Sequence, residues 1–166
     1  MQVTFYKPQG NLNEHAGYAT VIAGDAHIAA LVDHTERSPQ WSHMLVIITW
    51  DENGGWWDSV APPKADRWGP GSRVPAIIVS PYAKRGFVDS TQYDTSSILR
   101  FITKRFALPM LPGLRKRGAA MAVAGSGTIG DLANAITLPQ QGDTPQHPPT
   151  RIRPRSKEHQ IIGPAR

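Results

Sequence analysis

The chain has 166 residues, 40% apolar and 19% charged, with 15 glycines and 15 prolines, a balance that suits one domain with few regular elements and long connections. It contains no cysteine, which excludes disulfides and thiolate zinc sites and leaves carboxylate, imidazole, hydroxyl and amide groups to hold any metal. Of the net charge of +5, a surplus of +3 sits in residues 141–166, where Arg151, Arg153, Arg155, Lys157 and Arg166 face only Asp143 and Glu158, so the body is nearly balanced and no nucleic-acid partner is expected.

The opening MQVTFYKPQGNLNEH lacks the basic region and apolar run of a signal peptide, and no stretch is long enough to span a bilayer. Val21, Ile22, Ile28, Ala29 and Val32 recur at helical spacing and predict a helix from about Tyr18 to Asp33, ended by Ser38-Pro39. Met44 to Trp50 is an unbroken, β-branched apolar run, which predicts a strand buried on both faces. The segment DENGGWWDSVAPPKADRWGPGS, residues 51–72, holds no period and reads as a long loop. Arg73 to Ser80 is a second buried strand, its Pro75 placing the first residues at an edge. Asp94 caps a helix to about Phe106 with Ile98, Leu99, Ile102 and Phe106 as its apolar stripe, and a short helix is possible over 131–136.

Two strands without alternation, flanked by helices, predict an α/β layered domain with a mostly parallel sheet, because such strands need cover on both faces. Two strands do not make such a sheet, so the rest is expected from elsewhere. Residues 139–166 are read as a disordered, basic, Pro- and Arg-rich tail, which leaves 1–138 as the part that folds.

Asp51 and Glu52 stand at the C-terminal end of the first strand, where open α/β sheets place ligand groups, and Asn53-Gly54-Gly55 gives the backbone a way to leave the strand. Taken alone, an acidic pair opening a glycine-rich loop is more often a solvated turn. The run ITWDENGGWWDSVAPP, then GPGSRVPAIIVSPYAKRGFV, then YDTSSILRFITKRF, preceded by FYKPQGNLNEHAGY, resembles the C-terminal motif series of bacterial acid phosphatases and non-haemolytic phospholipases C. The resemblance covers Val3 to Phe106 and, weakly, reaches about Ile136.

That resemblance implies an alkaline-phosphatase-like layered α/β fold and hydrolysis of phosphate esters or phospholipids, through a hydroxyl nucleophile beside one divalent metal ion. It also implies that Asp51 and Glu52 coordinate the ion and that His15 lies near the substrate phosphate. Arg73, after a Gly-Pro-Gly turn, is the best single candidate for binding an anionic substrate. The resemblance further implies that residues 1–138 are the C-terminal part of a phosphoesterase catalytic domain, that the family's nucleophile and its Glu-Asn ligand pair belong to an N-terminal half absent from this sequence, and that full-length relatives are exported. Ser59 stands where the family commonly has histidine. Ser80, Ser96 and Ser97 are placed to cap or turn rather than attack, and His27, His34 and His43 show no ligand spacing. Trp41, Trp50, Trp56, Trp57 and Trp68 serve either a substrate pocket or the packing of the loop. The alternative to an enzyme is a non-catalytic remnant or interaction domain of the same fold.

Overall fold

The computed structural model describes residues 2–55 and 57–137. In chain order these form helix α1 (Val21–Glu36), strand β1 (Val46–Thr49), strand β2 (Ala76–Val79), helix α2 (Thr95–Arg105) and helix α3 (Pro112–Val123), with single 3-10 turns at Gly10–Leu12, Trp41–His43 and Ala133–Ala135. The tail expected from residue 139 onward lies outside the described residues.

Helix α1 begins where Thr20 Oγ1 accepts the Ala23 N–H at 3.1 Å, which satisfies one of the unpaired donors of the first turn. It runs three residues beyond the expected end. Its apolar residues divide: Val21 and Ile22 face solvent, while Ile28, Leu31 and Val32 line a trough shared with β1 and α2.

The strands pair in the register Val46↔Val79, Ile47↔Ile78, Ile48↔Ile77 and Thr49↔Ala76, and they run antiparallel. The expected mostly parallel sheet is thus not seen among the described residues, whose two strands form an antiparallel pair. Parallel neighbours need a crossover, normally a helix packed on the sheet, and the described residues between 50 and 75 supply none. Two side-chain bonds carry the pairing past the strand ends: Ser80 Oγ donates to the Met44 carbonyl at 2.7 Å and Tyr82 Oη to the Ser42 carbonyl at 2.6 Å. Beyond them Ala83 bridges to Ile136.

The ladder is less covered than its composition predicts. Val46, Ile47 and Ile48 are half-buried and Ile77 is 50% exposed. The buried apolar side chains among the described residues are Trp41, Leu114, Met121 and Leu132, and two of these belong to α3, a helix the apolar pattern did not announce. Its signals are local: Pro112 in the first turn and an alanine-rich second half.

Helix α2 begins and ends where the sequence placed it. Asp94 accepts the Ser96 N–H at 2.8 Å, and Ser97 Oγ accepts the Asp94 N–H at 3.2 Å to complete a capping box. The side that meets α3 is polar, however. Arg100 donates there to the Leu114 carbonyl at 2.6 Å, and the helix also buries Ser97 and Thr103. A side chain at Gly118 would put its Cβ 2.9 Å from the Arg100 guanidinium, so the arginine would have to shift.

The apolar stripe of α2, Ile98, Leu99, Ile102 and Phe106, lines the trough instead. A node at Asp89 secures the approach to α2, accepting from Tyr93 Oη at 2.6 Å and Asn134 Nδ2 at 2.9 Å. Burial, then this hydrogen bond, pushes the Tyr93 phenol up to about 12. The short helix expected over 131–136 is a single 3-10 turn.

The cap gives a first test. Asp94→Ala is expected to lower unfolding free energy by about 1 kcal/mol and Asp94→Asn by a few tenths, because the asparagine oxygen still accepts the first-turn N–H. Urea unfolding followed by circular dichroism checks both.

Candidate active site

The exit of β1 carries the acidic pair. Directly after the strand, the Trp50 indole N–H donates to Glu14 Oε2 at 2.9 Å. Asp51 is 80% exposed, with its Oδ2 3.5 Å from Lys7 Nζ. Glu52 turns onto its own loop, its Oε2 accepting the Gly54 N–H at 2.6 Å. Gly54 and Gly55 both take left-handed backbone, at φ 65° and 76°, so the chain leaves the strand through conformations that favour glycine. The two carboxylates are therefore neighbours in the chain with different partners.

His15 lies in the loop before α1. Its ring stacks on Tyr18 with centroids 4.6 Å apart, and its backbone N–H is held by Asn13 Oδ1 at 3.0 Å. His15 Nδ1 is 2.7 Å from the Ala16 carbonyl. A carbonyl only accepts, so Nδ1 carries the proton and Nε2 is the nitrogen available for chemistry. The preceding residue, Glu14, has φ 62°, a left-handed conformation that costs a residue with a side chain about 1 kcal/mol or more.

Arg73 is not an open cation. Its Nε and Nη2 donate to Asp58 Oδ2 and Oδ1, both at 2.8 Å, a two-pronged pair that closes residues 58–73 into one excursion. Its side chain is still 63% exposed, against 15% for Asp58. A second tie, Arg117 to Asp66 at 3.4 Å, holds the excursion to α3. Aromatic packing does not order this loop at Trp57, which is 93% exposed, or Trp68, which is 74% exposed and carries Arg67 over its ring. Trp56 lies outside the described residues.

The serines behave as their positions suggested. Ser80 bonds Met44 and the Tyr82 N–H, Ser96 bonds Asp94, and Ser97 completes the cap. His27, without ligand spacing in the sequence, is 2.8 Å from the Tyr6 hydroxyl.

His15, Asp51, Glu52 and Arg73 all line the same trough, a space of about 2330 Å³. Whether they fit a divalent ion is a question of donors. Two carboxylates suit a hard cation, and neither is sealed by burial. Yet among the described residues no group of three or more His, Cys, Asp and Glu side chains gathers to hold a metal. The pair fits part of a coordination shell and does not complete one.

Lys7, Glu14 and Asp58 join these residues without having been singled out by sequence pattern. Glu14 had one available signal, its place beside His15 in Asn13-Glu14-His15. Asp58 had another, an acid and Arg73 at opposite ends of a Gly- and Pro-rich segment.

The Asp58–Arg73 pair predicts a pH dependence. The Arg73 hydrogen bonds, then the Val60 N–H, hold the Asp58 carboxyl well below its ordinary 3.8, and the unfolded chain returns it there. A carboxyl depressed in the folded state contributes stability that is full above its unfolded value and fades as pH falls toward the folded one. The difference in urea midpoint between wild type and Asp58→Asn is therefore expected to be largest near about pH 7 and to shrink below about pH 4.

A model of the phosphoesterase family matches residues 2–109. A non-hemolytic phospholipase C of Pseudomonas aeruginosa is 27% identical over 176 residues, 87% of this chain but 24% of that protein. Phospholipase C A of Mycobacterium tuberculosis is 25% identical over 186 residues, 98% of this chain and 33% of that protein. A non-specific phospholipase C of Arabidopsis thaliana is 33% identical over 114 residues, 53% of this chain and 22% of that protein. The chain thus spans about a quarter to a third of the length of the first two relatives. Since residues 2–109 include the His15 loop, α1, both strands, the acidic exit of β1 and the capped helix α2, the chain belongs to the phosphoesterase family.

Proposed function

We propose that this chain is part of an enzyme that hydrolyses phosphoric ester bonds, of the acid phosphatase or phospholipase C kind. The observation that carries the reading is the acidic pair at the exit of β1, inside the matched region, sharing one trough with His15 and Arg73. The relatives' names point to phospholipids as the substrate class.

In this reading Asp51 and Glu52 would hold one divalent ion. When bound there, such an ion supplies Lewis acidity toward a phosphoryl oxygen and toward a hydroxyl nucleophile carried outside this chain. Lys7 gives up its contact with Asp51 at little cost, since an exposed ion pair contributes little. His15, with Nδ1–H committed to the Ala16 carbonyl, presents Nε2. Protonated, Nε2 donates to a phosphoryl or leaving-group oxygen; neutral, it accepts a proton. Arg73 keeps Nη1 to meet anionic charge while Asp58 fixes its plane.

The same proposal accounts for the trough. Ligand pockets run to about 1,000 Å³, well short of 2330 Å³, and the lining comes from the apolar stripes of α1, β1 and α2. We assign this space to further strands of the family's catalytic domain, which complete a layered, mostly parallel sheet and bring the remaining metal donors and the nucleophile. β1 and β2 are then an antiparallel pair within that sheet.

The test has two parts. The 166-residue chain alone is expected to hydrolyse p-nitrophenyl phosphate no faster than its Asp51→Asn/Glu52→Gln variant. In a polypeptide that also carries the rest of a family member's domain, metal-dependent turnover is expected, and Asp51→Asn or Glu52→Gln should each reduce it about 100-fold or more, since even outer-shell changes cost 10- to 100-fold. Full turnover in either variant would remove the assignment. A completed domain that folds but turns nothing over would favour the non-catalytic interaction domain.

A further inference from the structure

We propose that Glu14 is a positioning residue that holds the His15 loop against the exit of β1 and so sets where His15 stands relative to Asp51 and Glu52; this rests on reading those three residues as one site. Three observations meet at this side chain. Its backbone is left-handed, at φ 62°, a conformation a residue with a side chain keeps only where its surroundings hold it. The side chain lies against buried Gly24 of α1, so closely that a Cβ there would fall 2.2 Å from Glu14 Cγ and 2.8 Å from Oε1. Its Oε2 takes the indole N–H of Trp50, the residue immediately before Asp51.

One side chain therefore touches the His15 loop, helix α1 and the end of β1. The other contacts do not substitute for it. The stack on Tyr18 and the bonds to Asn13 and Ala16 are internal to the loop, so they orient the imidazole within the loop without placing the loop. Lys7–Asp51 reaches across, but both side chains are at least 75% exposed and such a pair holds geometry poorly. Glutamate is suited by length and by a half-buried acceptor oxygen. Glutamine keeps both properties and alanine neither. Gly24 is the matching requirement on α1, since any larger residue occupies the place of the glutamate stem.

The absence of cysteine makes the proposal directly measurable. Spin labels at Ala16→Cys, beside His15, and at Ala76→Cys, the exposed partner of Thr49 in the ladder, report the distance from loop to strand end by pulsed electron paramagnetic resonance. A single narrow distribution is expected in the otherwise unaltered 166-residue chain and with Glu14→Gln. The narrow peak is expected to be lost with Glu14→Ala and with Gly24→Ala, while helix content stays unchanged. Trp50→Phe, which removes the donor and keeps a smaller aromatic ring, is expected to lose it too and carries the test if Glu14→Ala fails to fold. A narrow peak retained in Glu14→Ala or Trp50→Phe, or lost equally in Glu14→Gln, overturns the proposal. No metal or phosphate ester enters this measurement, so failure of the hydrolytic reading leaves its outcome intact.

Discussion

The short ladder between β1 and β2 fixes both ends of the segment that carries the acidic pair. Thr49 faces Ala76 at its open end, where Thr49 Oγ1 also donates to the Pro75 carbonyl at 2.9 Å. Trp50, Asp51 and Glu52 therefore leave the sheet from a defined point. Arg73 returns only two residues before Pro75, already joined to Asp58. Were the ladder to slip by one residue, every side chain would change face, and the bonds of Ser80 to Met44 and Tyr82 to Ser42 would be lost with it. Those two bonds tie register to chemistry, because they secure the far end of the strands whose near end carries Asp51.

Around this ladder the apolar surfaces are arranged in an unusual way for a small domain. Helix α2 turns Arg100 toward α3 and its apolar stripe toward the trough, where stripes of α1 and β1 also lie. Burying apolar surface is the main stabilising force of a fold, so a trough with apolar walls on three sides is shaped for cover. The proposed further strands supply that cover and also the missing donors, which links packing to the site.

Much of this was legible in sequence, and the reason differs by element. Helix α2 was readable to within about a residue because its cap at Asp94 is a local signal, which depends on nothing distant. The strands were readable as apolar, β-branched runs. Their antiparallel pairing was not, because local pattern carries no direction and only the helix-free connection over 50–75 decides it. Helix α3 was hidden by Gly113 and Gly118, residues that lower helix propensity, although a Cβ at Gly118 would crowd the Arg100 guanidinium. Of the residues that share the trough, Asp51, Glu52 and His15 were singled out through motif and Arg73 through the turn before it. Glu14 and Asp58 were not, since each acts on a residue at least 15 positions away, a relation that only the folded chain creates.

The central claim is that the carboxylates leaving β1 together receive a divalent cation. Paramagnetic Mn2+ titrated into the 166-residue chain tests it most directly, because broadening of amide signals detects even a weak, partial shell. The account predicts selective broadening of the Gly54 and Gly55 amides and the Trp50 indole N–H, lost when Asp51 and Glu52 are both converted to amides. Signals that stay sharp in the unaltered chain, or that broaden equally in the double variant, would contradict it.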